Sequence, residues 1–126
     1  MTEKTIADKM FVKKANTIAI VNAKGRAPEL VAALPAELLV SGSKPADFVL
    51  MFAGNQQELE DVLPKARERL LPKGALWIAY IKGTSKNKSD VHRDTIREYA
   101  ETVGLTTVSL ISVDDDWSAL RLKHSE

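Results

Sequence analysis

The chain has 126 residues, 44% hydrophobic and 28% charged, which is the size and make-up of one domain with one core. It contains no cysteine, so disulfides, thiolate metal sites, iron–sulfur clusters and cysteine nucleophiles are excluded. The 18 Lys and Arg against 17 Asp and Glu leave a net charge of +1, which supplies no global attraction to nucleic acid or to a membrane surface.

In chain order, Met1–Met10 mix both signs of charge and carry no apolar core run. Within the N-terminal segment 1–14, Ile6–Lys14 can form a short helix with Ile6, Met10 and Phe11 on one face. No stretch approaches the ~18 consecutive apolar residues of a membrane span, and the expected setting is the cytoplasm. Thr17–Asn22 is β-branched and apolar on both faces, the pattern of a doubly buried strand. Pro28 suits the first turn of a short helix over Glu29–Leu34, which Pro35 stops. Glu37–Ser41 reads as a brief strand closed by Gly42, and Asp47–Ala53 as a second doubly buried strand ended by Gly54.

Asn55 is placed as an N-cap, with Glu58 at the capping-box position. Leu59, Val62, Leu63, Ala66 and Leu70 then follow helical spacing; Pro64 must kink this helix or restart it, and Pro72–Gly74 end it. Ala75–Ile81 is the third strong strand, and Lys82–Lys88 a polar loop. Asp90 is the expected cap of a helix with Ile96, Tyr99, Ala100 and Val103 on one face and Gly104 as its left-handed terminator. Leu105–Val113 and Trp117–Lys123 flank the turn Asp114–Asp116 and read as an antiparallel hairpin.

Strands alternating with helices imply right-handed crossovers. The expected fold is a single α/β domain over 1–126: three-layer and Rossmann-like, its sheet mostly parallel with a C-terminal antiparallel hairpin. Leu70–Ile78 (Leu-Leu-Pro-Lys-Gly-Ala-Leu-Trp-Ile) resembles the entry to the fifth strand of class I S-adenosylmethionine-dependent methyltransferases. Asp47–Phe52 resembles their fourth strand, and the terminal hairpin their sixth and seventh. A more specific likeness lies in Ile78–Ser85, Asp90–Arg97 and Ser112–Arg121, above all the run Trp117-Ser-Ala-Leu-Arg121. These resemble a family of small bacterial proteins of unknown function, a likeness that implies the fold and no activity.

The departures from methyltransferases carry the functional expectation. Those enzymes have a Gly-x-Gly turn after the first strand, which opens the backbone to the cofactor. Here the turn is Asn22-Ala-Lys-Gly-Arg26, with one glycine. The acid that would hold a ribose is missing from Val40–Lys44, and a third strand is absent. The resemblance therefore implies a shortened methyltransferase-like sheet that does not bind S-adenosylmethionine in the standard way.

In an open parallel sheet, ligands sit beyond the carboxyl ends of the strands. Topology gathers Asn22, Lys24, Gly54, Asn55, Lys82, Ser85, Lys86, Asp115, Asp116 and Trp117 at that edge as candidate ligand residues. The loop with Lys82, Thr84, Ser85 and Lys86 has the donors for a phosphate or carboxylate but not the phosphate-loop spacing; a solvated loop is the plain alternative. Consecutive aspartates in a tight turn point apart, which favours turn chemistry and a salt bridge over a metal. Trp117 suits packing more than stacking, and Arg121 shares its face by the two-residue period. His92 and His124 lack metal-ligand spacing and read as surface residues, and no Gly-x-Ser-x-Gly elbow is present.

No catalytic residue, cofactor or metal is assigned. The first reading is a non-catalytic protein binding a small anionic ligand or a protein partner, with Glu37–Ser41 as a sheet edge that invites homo-oligomers. The second is a transferase-type enzyme with a divergent nucleotide site, Lys82 and Ser85 holding the anion and Asp115 or Asp116 acting as base. Membranes and nucleic acids are not expected partners.

Overall fold

The computed structural model describes residues 15–23, 31–32, 34, 36–40, 44–81, 90–113 and 116–125. The apolar runs form the strands β1 (Ile18–Val21), β2 (Ala46–Ala53) and β3 (Leu70–Ile81). The terminal hairpin supplies β4 (Leu105–Ser112) and β5 (Trp117–His124), and the helices α1 (Gln56–Arg69) and α2 (Arg93–Thr102) fall between strands. The sheet order is β1-β2-β3-β5-β4. β1, β2 and β3 pair in parallel, whereas β5 is antiparallel to both β3 and β4. Only β5 is reversed, as the sequence implies. Among the described residues no helix is long and apolar enough to cross a membrane.

The two-residue period of the strands sorts their side chains onto two faces. Met51, Ile78, Tyr80 and Leu120 lie under Leu59, Leu63 and Ala66 of α1 and Ile96 and Ala100 of α2. Phe48, Leu50, Phe52, Trp77 and Ala119 fill the opposite face, where Val31, Leu34 and Leu38 of the β1–β2 crossover pack. Chain segments therefore cover the sheet on both sides.

The strand expected over 37–41 does not form. Ala36–Leu38 make a 3₁₀ turn, and Leu39 makes an isolated parallel bridge to Ile18. Leu38 and Leu39 cannot both face the core: Leu38 packs inward and Leu39 is left 43% exposed. Residues 41–43 of this segment, the helix start at Pro28 and the N-terminal segment 1–14 lie outside the described residues.

α1 does not restart at Pro64; it runs through that residue as one helix. Proline has no N–H to give the carbonyl of Glu60, and the Tyr99 hydroxyl on α2 donates to that carbonyl instead, at 3.1 Å. α1 also ends earlier than its spacing suggests, and β3 begins at Leu70 with no loop between. Ala46 pairs with Leu70 but Phe48 with Ala75, so residues 71–74 bulge out of the ladder. Gly74 permits the bulge, because a Cβ there would stand 2.8 Å from the Asp47 carbonyl oxygen. Gly104, with φ +80°, ends α2 as expected. Asp90 does not cap α2: His92 holds that position, and the Thr95 hydroxyl accepts from its backbone N–H at 3.0 Å. His92 is exposed as expected, but His124 is half-buried, its Nε2 donating to the Leu70 carbonyl at 2.9 Å.

Candidate functional site: the crevice between the first two strands

From β1 the chain crosses to Leu39 on one flank and returns as β2 on the other. The crevice beyond the carboxyl ends of β1 and β2 is therefore the topological switch point, where such folds place their ligands. Asn22 follows β1 directly. Its φ of +60° is the left-handed backbone that glycine adopts freely and asparagine tolerates. The turn thus keeps a glycine-like backbone while carrying a side chain.

That side chain reaches across the crevice. Nδ2 of Asn22 donates to the Phe52 carbonyl at the end of β2, at 2.8 Å, and to Oε1 of Glu58 in the first turn of α1, at 2.7 Å. The α1 N-terminus is equally occupied. Oδ1 of Asn55 accepts from the Glu58 N–H at 2.8 Å, as its N-cap position requires. Oδ1 of Asp90 accepts from the Gln56 N–H, also at 2.8 Å. A helix N-terminus attracts anions through its free N–H groups and its dipole. Here two of the protein's own carboxylates, Glu58 and Asp90, already stand at it.

At the end of β3, Tyr80 lies directly opposite Ser118 in the antiparallel ladder, and both are buried, at 4% and 8% exposure. Burial raises the Tyr80 pKa above its ordinary 10.0; Arg93 opposes this, Asp94 reinforces it, and the hydrogen bond with Ser118 opposes it. The phenol is therefore neutral at physiological pH and serves as a hydrogen-bonding group, with Ser118 engaged as its partner. Trp117 lies opposite Ile81 and meets Phe52 edge-on, ring centroids 5.7 Å apart at 80°. It anchors the second face of the sheet.

Of the residues singled out from the sequence, Asn22, Gly54 and Asn55 meet at the crevice. Asp116 and Trp117 stand at the start of β5, beside the end of β3. Lys24, Lys82, Ser85, Lys86 and Asp115 lie outside the described residues. Four further residues take part through contacts that no local sequence signal gives. Glu58 was visible as a helix-start acid, but not as the partner of Asn22. Asp90 serves the N-terminus of α1 rather than that of α2, and the Tyr80–Ser118 pair depends on strand register. Among the described residues no group of three or more His, Asp or Glu side chains is arranged to hold a metal ion.

The fold is shared with methyltransferases. The chain superposes on the CcbJ methyltransferase from Streptomyces caelestis with a TM-score of 0.64 at 11% identity, over 94% of each chain. With an O-methyltransferase family protein from Burkholderia thailandensis the TM-score is 0.63 at 12% identity, covering 96% of this chain but 55% of that one. With the ribosomal protein L11 methylase from Lactobacillus delbrueckii subsp. bulgaricus it is 0.61 at 12% identity, over 94% and 74%. The sheet is a shortened methyltransferase-like one. No curated protein matches the chain in sequence. Residues 29–126 match the model of DUF3052, described as a protein of unknown function, and the chain belongs to that family.

Proposed function

We propose that the protein is a non-catalytic binding module, built on a methyltransferase-like sheet whose cofactor crevice is closed by its own side chains. The hydrogen bonds from Asn22 to Glu58 and to the Phe52 carbonyl carry this reading. To lie against the backbone after β1, a sulfonium donor must displace the Asn22 amide. That leaves a carbonyl and a carboxylate without their donor, a loss of about 1–3 kcal/mol for each group left unsatisfied. The acid that would repay this by holding a ribose is missing from residues 40–44. In this reading the protein acts by holding a small ligand or another protein, and group transfer is not its task.

The test is thermal unfolding with and without 1 mM S-adenosylhomocysteine, a probe concentration at which a 10 µM site would be about hundredfold saturated and stabilised by about 2.7 kcal/mol. The expected result is no rise in Tm. A rise of several degrees overturns the proposal. Asn22→Gly keeps the left-handed backbone and removes the obstructing amide, so it is the variant in which weak binding should first appear.

A further inference from the structure

A second concave surface lies at the opposite end of the sheet and owes nothing to the closed crevice. It is a groove of about 600 Å³ between the start of β3 and the end of β5, walled by Lys73, Arg121, Lys123 and His124. The other described residues lining it are Pro72, Gly74 and Ser125, so none of the described lining residues bears a carboxylate. A chain of net charge +1 thus brings the two ammonium groups of Lys73 and Lys123 and an imidazole into one hollow, beside Arg121, which has a partner of its own. Like charges in a concavity repel one another, and a bound anion relieves that repulsion.

The backbone around the groove is fixed. Lys73 rides on the bulge, which Gly74 presses against the Asp47 carbonyl, too close for any side chain. His124 is tied to the Leu70 carbonyl through Nε2, leaving its second ring nitrogen out of that bond. The Ser125 N–H donates to the Gly104 carbonyl at 2.9 Å, holding the end of β5 in place. Cationic groups mounted on such supports lose less freedom when a ligand arrives.

We infer that this groove binds a phosphate-bearing small molecule, with Lys73 and Lys123 as its charged contacts and the His124 ring beside them. A phosphate concentrates up to two charges on one centre and offers oxygens to cations approaching from several sides. The volume is that of an ordinary small-ligand pocket. A nucleic acid duplex presents a charge about every 1.7 Å along its axis and needs a track of cations to match; here the cations are confined to one end of two strands.

The experiment is a titration of the ¹⁵N-labelled full chain with inorganic pyrophosphate at low salt, followed by amide shifts and calorimetry. Shifts should be confined to residues 70–75 and 121–125 and to the His124 ring. Lys73→Glu and Lys123→Glu should each weaken binding about tenfold or more, since charge-assisted hydrogen bonds are lost. Lys65→Glu, the same charge change on the exposed face of α1, should leave binding within about twofold, as distant surface charges are screened. Shifts centred elsewhere, or equal losses in all three variants, would overturn the assignment. So would a single-stranded RNA that binds while pyrophosphate does not.

Discussion

Tyr99 shows how one side chain can complete another element's backbone. Pro64 leaves the Glu60 carbonyl without its helical partner, and the Tyr99 hydroxyl takes its place. Tyr99→Phe should therefore cost about 1 kcal/mol in urea unfolding. In a Pro64→Ala background the helix supplies its own N–H and the same substitution should cost less, so a double-mutant cycle should report clear coupling. Tyr80 gives a second residue-scale test. Its folded pKa is raised by burial, so stability is unaffected while both states keep the proton. Above about 10 the unfolded chain ionises first, and stability falls as pH climbs toward the folded value. Comparing wild type with Tyr80→Phe between pH 9 and 11 should show a steeper loss in the wild type, and parallel curves would contradict the assignment of burial as the cause.

At the scale of elements, the helix–strand junction is the most constrained part of the chain. Gly74→Ala places a methyl 2.8 Å from the Asp47 carbonyl oxygen and 2.8 Å from Leu70 Cδ1. The Leu70 side chain can move and the backbone carbonyl cannot, so a loss of about 1–3 kcal/mol is expected in denaturant unfolding. The same junction marks where the sequence becomes hard to read. β1, β2 and the later part of β3 are legible because 18–21, 48–53 and 75–81 are apolar runs bounded by turn residues. Pro72 and Gly74 resemble a loop locally, and only pairing with β2 reveals that Leu70 already belongs to the ladder. Asn22, Gly54 and Asn55 could be placed at one edge from topology alone. The role of Asp90 could not, since it depends on a contact spanning 34 residues, and that of Glu58 on one spanning 36.

At the scale of the molecule, the described residues line two different hollows at the two ends of the sheet. Beyond the carboxyl ends of β1 and β2, Glu58 and Asp90 face the α1 N-terminus and Asn22 bridges the gap. Beyond the start of β3, Lys73, Lys123 and His124 surround an open groove. The sheet's shape is that of a methyltransferase, while its switch point is spent on internal hydrogen bonds. The most direct measurement follows the side-chain amide resonances of Asn22 in a ¹⁵N spectrum as S-adenosylhomocysteine is added to the full chain. They should stay where they are up to millimolar ligand, with the hydrogen bonds to Glu58 and Phe52 intact. A saturable movement of those resonances would show the donor entering the crevice and would contradict its closure.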